Sequence, residues 1–163
     1  MAMQTLDAKL QELLRGRHIA TLATENADGS MHLTAVWYLF EDGALFVATS
    51  TKTRKYRNVV ARPKASLMVD LRRPGTEWGV TGAGVAEVIR GARSEEINRR
   101  VHGRYLSAAA LADPAVGAMF AAFDDVTLRI APASWFSWDM AALDAQVFGG
   151  KFAKTPEYLL PLD

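Results

Sequence analysis

Cysteine is absent from the 163 residues, which excludes a disulfide framework, thiol catalysis and any Cys-ligated zinc or iron–sulfur centre. Histidine is scarce: three residues, scattered and without an HExxH pattern, supply no ligand set for a catalytic metal. No apolar run reaches the length of about 18 residues that a membrane span needs. The opening MAMQTLDAKL reads as the start of an amphipathic helix rather than a signal peptide, so the expected location is the cytoplasm, with no membrane partner. A charge excess is lacking too. Nineteen Lys and Arg against eighteen Asp and Glu leave a net charge of +1, which argues against a general nucleic-acid binder. There is no repeat, low-complexity tract or linker. What remains is one domain over residues 1–163, half apolar and long enough to bury a core without staples.

The balanced total hides an asymmetry. Lys52 to Arg73 holds eight basic residues and one acid, Asp70, a local charge of +7 against −6 for the rest. A compact anionic group is the ligand such a block first suggests, with nucleic acid as the competing reading.

Leu6, Leu10, Leu13 and Leu14 mark one face of a helix ending near Gly16. The period then changes to that of strands. Ile19–Thr24, His32–Phe40 and Ala44–Thr49 read as three antiparallel strands, the last two joined by Asp42-Gly43. Lys52–Arg62 is expected to be a helix stopped by Pro63, with Val59 and Val60 on its inner side. Strands follow at Ala65–Leu71 and Trp78–Ile89; Gly79, Gly82 and Gly84 in the latter predict sharp curvature. Helices are expected from Ser94 to Leu106 and from Pro114 to Phe123, then a strand over Val126–Phe136, with an irregular tail over 139–163. The pattern is mainly β with helices: a six-stranded antiparallel barrel, closed so that no long edge is left exposed.

Gly82-Ala83-Gly84 is no dinucleotide loop, because Glu87 stands at the third glycine position and no helix follows. Gly150-Lys151 is followed by Phe152, so there is no Walker sequence. No serine has a nucleophile-elbow context. His18 and His32 flank strands, and His102, among Arg99, Arg100 and Arg104, reads as part of a solvated helix face. The segment Ser50-Thr51-Lys52-Thr53-Arg54-Lys55 is different, since it joins a strand end to a helix start. Free backbone N–H groups, hydroxyls and cations gather there, as an anion site requires, although a solvated basic face has the same composition. Arg54 can grip phosphate oxygens in a fork, with Lys55 as a point charge. Trp37-Tyr38, Trp78 and Trp138 offer flat apolar walls for a planar ring.

The stretch HIATLATENADGSMHLTAVWYLFEDGALFVATSTKTRKYRNVVARPKASLMVD, with Ala48-Thr49, Thr53-Arg54-Lys55, Asn58 and Arg62-Pro63, resembles the pyridoxamine 5′-phosphate oxidase-like split-barrel superfamily. Its flavin/deazaflavin oxidoreductase B branch is most similar. The resemblance implies a split barrel of the FMN-binding type and a homodimer with two sites at the subunit interface. It implies that Leu33, Thr34, Ala35, Val36, Trp37 and Tyr38 lie along the cofactor's ring and ribityl chain. Ala48 and Thr49 would touch the cofactor, with Arg54 and Lys55 beside Thr53 as its phosphate ligands. Trp78 would come from the end of the following strand, and Trp138 would reach the cofactor in the partner subunit. True pyridoxamine phosphate oxidases follow the matching tryptophan with an Arg-Leu-His-Asp-Arg type motif. Here Asp139-Met140-Ala141-Ala142-Leu143 follows, with neither Arg nor His.

The function expected is hydride transfer between a flavin-type cofactor and a small organic substrate. Deazaflavin F420 is preferred over FMN because Lys52, Arg57, Arg72 and Arg73 exceed what one phosphate needs. The alternative is a carrier that holds flavin or haem without turnover. No side chain stands out as a catalytic acid or base.

Overall fold

The computed structural model describes residues 6–161, so the predicted helix opening over 1–5 lies outside the described residues. The strands are β1 (Ala20–Glu25), β2 (Met31–Val36), β3 (Leu39–Glu41), β4 (Ala44–Thr49), β5 (Lys64–Leu71), β6 (Trp78–Ile89) and β7 (Val126–Asp139). All pair antiparallel in one curled sheet of order β2-β1-β5-β6-β7-β4-β3. The helices are α1 (Ala8–Arg15), α2 (Arg54–Ala61), α3 (Ala92–Tyr105), α4 (Ala108–Ala112), α5 (Gly117–Phe123), α6 (Met140–Val147) and α7 (Lys151–Lys154).

Alternation along the strands sorts the two faces. On β1, Ala20, Leu22 and Thr24 are buried while Thr21 and Ala23 point outward. Leu22, Leu45, Val69, Val80, Leu128 and Ile130 meet inside the curl, each at most 1% exposed. α1 closes one end with Leu13 and Leu14, and Leu6 and Leu10 pack against the same cluster. Fully burying each such side chain stabilises by roughly 1.5–3 kcal/mol, which makes this interior the main source of stability. α3 lies outside the curl, where Ile97 and Val101 cover Leu39, Ala44 and Phe46.

The curvature expected from the glycines of β6 has a specific cause at Gly84. The pairing with β7 shifts register between Ala83 and Gly84, and a Cβ on Gly84 would sit 2.1 Å from the Ala131 carbonyl oxygen.

Seven strands replace the expected six because His32–Phe40 is interrupted at Trp37-Tyr38. Tyr38 turns fully into the core; its N–H donates to the Tyr105 hydroxyl at 3.3 Å and its carbonyl accepts from Arg104 Nε at 3.1 Å. Those side chains take over the role of a strand ladder. On α2, Val59 is buried as expected but Val60 is 57% exposed. The tail is also more ordered than expected. Asp139 caps α6 through the Ala142 N–H at 3.1 Å. Buried Asp144 accepts from the N–H groups of Phe152 and Ala153, at 3.2 and 3.1 Å, and so caps α7. A 3-10 turn at Pro156–Tyr158 follows.

Candidate cofactor-binding site

The loop before α2 is held from several directions. Thr53 is the N-cap: its hydroxyl accepts from Tyr56 N–H at 3.4 Å and donates to the Ser50 carbonyl at 2.8 Å. Thr49, itself buried, places its hydroxyl 3.2 Å from that of Thr53. The Asp125 carboxylate accepts from both the N–H and the hydroxyl of Thr51, each at 2.7 Å, and these bonds hold it below the usual carboxylate range. Farther along α2, buried Asn58 donates to Thr24 Oγ1 at 3.1 Å and to Asn26 Oδ1 at 3.0 Å. Arg90, just past β6, donates to the Tyr56 hydroxyl at 2.7 Å.

What this frame leaves free is informative. The N–H groups of Arg54 and Lys55 open the helix and have no intrahelical acceptor. The Arg54 guanidinium is exposed and makes no hydrogen bond or ion pair among the described residues. Lys55 is half-buried; burial pulls its ammonium below the ordinary lysine range, and Asp124 partly opposes the shift. Arg57 instead donates to the Lys52 carbonyl at 3.1 Å and braces the loop. One end of the barrel therefore presents two free N–H groups at a helix start whose first two side chains are the cations Arg54 and Lys55, the donor types an anion calls for.

The strand expected to lie along a ring divides its side chains. Leu33 is 63% exposed and Ala35 is also exposed, whereas Val36 and Tyr38 face the core and can offer only backbone. Thr34 and Ala48 are half-buried. Trp37 is not a free wall, because both indole faces are occupied. Tyr105 stacks on one at 4.9 Å and 2°, and Phe120 of α5 lies on the other at 5.4 Å and 22°. Only its edge remains.

Trp78 and Trp138 sit together but far from the anchor. Trp78 starts β6, opposite Asp139, and Trp138 pairs with Gly79, over whose Cα its indole packs. Tyr56 of α2 is tied to Arg90, beyond the other end of the same twelve-residue strand. The tryptophans line a cleft of about 470 Å³ with Lys9 and Leu143. Lys9 lies 4.6 Å over the Trp78 ring and pairs with Asp139 at 2.6 Å. Arg72 and Arg73 follow β5 at this end too, and Arg72 is paired with Asp70 at 2.6 Å. Within one chain they do not extend the anchor.

His102 is not on a solvated face. It is 5% exposed, its Nε2 lies 2.8 Å from Asp124 Oδ2, and its ring tilts against Phe120 at 5.3 Å. Beside it Asn98 donates to the carbonyls of Asp124 and Val126, at 2.8 and 3.2 Å, while Ser94 and Thr127 hydroxyls lie 2.8 Å apart. This buried polar seam fixes α3 and the Asp124-Asp125 junction that holds the anchor loop. The arginines around His102 masked it, since helical position relative to the sheet decides burial. No group of His, Asp or Glu among the described residues is arranged to hold a metal ion. No described helix is long and apolar enough to cross a membrane.

A curled antiparallel sheet with a cationic helix start outside it defines the class of split-barrel proteins. The chain belongs to the pyridoxamine 5′-phosphate oxidase family, which matches residues 6–139. Among solved structures it is similar to a conserved hypothetical protein from Mycobacterium tuberculosis, with 28% identity and a TM-score of 0.71 over 86% of this chain and 89% of that one. An F420 reductase shares the fold at 24% identity and TM-score 0.61, over 80% of this chain and 98% of that one. The haem storage protein HutZ from Vibrio cholerae shares it at 16% identity and TM-score 0.61, over 83% and 95% of the two chains. The fold is therefore shared by a reductase and a storage protein.

Proposed function

We propose that the protein is an oxidoreductase holding a phosphate-bearing flavin-type cofactor, deazaflavin F420 first and FMN as the alternative, at a homodimer interface in the cytoplasm. The observation that carries this reading is the start of α2, where two unpartnered N–H groups, Arg54 and Lys55 meet on a loop fixed by Thr53 and Asp125. That donor set fits one phosphate: N–H groups and a guanidinium for its oxygens, and an ammonium for its charge. When bound, the cofactor's ring supplies hydride chemistry. The chain anchors the phosphate, lays the backbone of β2 and the side chains of Leu33 and Ala35 along the ring, and excludes water with apolar walls.

The outer sheet face supports two chains. Leu33, Ala23, Ser66, Ala83 and Ser134 form one row across five strands. Ala35, Thr21, Met68, Thr81 and Phe136 form the next. None is charged and none is buried, and Leu33 and Phe136 are 63% and 68% exposed. An uncharged face of this extent suits a symmetric contact with a second copy. In the dimer the resemblance implies, the second copy's Trp138 would reach the anchor, with Arg73, bonded through its side chain to no described group, available to the acidic tail of a deazaflavin. After Trp138, Asp139 is committed to α6 and Lys9, and residues 139–143 carry no Arg or His for a substrate phosphate. Pyridoxamine phosphate oxidation is therefore not the activity proposed.

The test begins with the absorption spectrum and mass of what co-purifies from a host that makes both cofactors. Competitive binding at physiological ionic strength then ranks F420 against FMN. Turnover of reduced deazaflavin with quinones and enoates is the expected result; binding without turnover makes the protein a carrier. Failure of both cofactors to bind would sink the reading.

A further inference from the structure

Residues 140–161 lie beyond the part of the chain that matches the family. They fold back against the turn between β5 and β6. Met140 N–H donates to the Glu77 carbonyl at 2.8 Å, and a Cβ on Gly75 would meet the Leu159 side chain at 2.7 Å. The segment does not fill the space it encloses. A cavity of about 340 Å³ remains between it and Trp138, separate from the cleft on the Trp78 side.

The lining has a distinct chemistry. Trp138, Phe148 and Phe152 supply three aromatic walls, and the two phenyl rings meet edge to face at 5.4 Å and 78°. Met140 and Leu159 complete the apolar surface. The charged residues of the lining are Glu77 and Asp144, with no lysine, arginine or histidine among its eight members. Asp144 is spoken for, since both its oxygens accept N–H groups of α7. Glu77 lines the cavity, and its carboxylate makes no hydrogen bond or ion pair among the described residues.

Aromatic faces attract a cation through their quadrupole, and a free carboxylate at the same cavity selects for positive charge. A neutral apolar molecule would leave Glu77 unpaired, and an anion would be repelled by it. The volume stands at the small end of ligand cavities, which run from about 300 Å³ upward. We propose that this cavity is a binding site for a small organic ammonium ion, built by the C-terminal segment and independent of the phosphate anchor.

The experiment titrates the full-length protein, with and without cofactor, using three probes that share one ring: benzyltrimethylammonium, benzyl alcohol and benzoate. Tryptophan fluorescence and calorimetry read the binding. The ammonium ion is expected to saturate, with affinity roughly tenfold above that of either other probe. Glu77→Gln keeps the backbone carbonyl that holds Met140 and should erase most of that preference while leaving benzyl alcohol unchanged. Phe148→Ala, at a side chain 46% exposed and so outside the core, should weaken ammonium binding several-fold. Equal affinity for the three probes, no saturation, or an unchanged preference in Glu77→Gln each overturns the proposal. Replacing Arg54 and Lys55 should leave ammonium affinity intact, so failure here and failure of the cofactor reading are told apart.

Discussion

The two ends of the barrel solve opposite problems. At the α2 end the backbone is fixed by short polar side chains, with Asp125, Thr53 and Asn58 each satisfying loop or neighbouring groups, and the cations Arg54 and Lys55 are left over. At the tryptophan end Lys9 is paired with Asp139 and Arg72 with Asp70, and aromatic surface with Glu77 is left over. One end is left with cations and the other with aromatic surface and a carboxylate. The lesson is that pairing rather than composition distinguishes the two ends, since both contain arginine and lysine.

The comparison can be broken most completely at the sheet face between the ends. Phe136→Asp with Leu33→Asp places charge on both uncharged rows and should convert a dimer to a monomer by sedimentation, with loss of cofactor affinity. A monomeric parent chain binding cofactor at full strength would show that the two ends need not meet. Next in size, Arg54→Ala with Lys55→Ala should weaken cofactor binding by at least roughly tenfold, given about 1.5–3 kcal/mol per charge-assisted hydrogen bond. Thermal stability should barely change, because Arg54 is exposed and bonded to no described group. Asp125→Ala leaves both cations in place and frees Thr51, so calorimetry should show a smaller loss, about three- to fivefold.

The smallest effect is one of pH. Burial lowers the Lys55 ammonium below the lysine value of 10.5. Deprotonation removes the positive charge an anion needs, so cofactor affinity should fall as pH rises, beginning below the ordinary lysine range. Lys55→Arg stays charged and should flatten that decline, with little change near neutrality. Parallel curves for the two proteins would remove Lys55 from the anchor.

Local pattern carried the strands well. Trp78–Ile89 was legible to the residue, and its glycines announced curvature, whereas the helix expected from Lys52 starts two residues later, at Arg54, with Thr53 as its cap. What was not legible came from distant partners. The break at Trp37-Tyr38 depends on Arg104 and Tyr105, some 66 residues later, and no period within the strand announces it. The burial of His102 depends on where Asp124 falls after α5. Trp37 looked like a free ring wall because nothing in its own strand shows Tyr105 and Phe120 closing on both faces. For the tail, Asp139 and Asp144 were capping signals in plain view, outweighed by Gly149-Gly150 and the prolines.

The Thr51–Asp125 clamp joins residues 74 apart, and Thr49 pairs with Val126 in the same place. Closing a loop of that size costs chain entropy that local contacts do not offset, so such pairings form late in folding. A nascent or truncated chain ending before Asp125 would carry Arg54 and Lys55 on an unclamped loop. Anion recognition would then switch on only as β7 docks, and a bound cofactor would add RT ln(1 + [L]/Kd) to the finished state alone. In pulse-labelled hydrogen exchange, the amide of Thr51 should gain protection with β7 rather than with its own neighbours in β4.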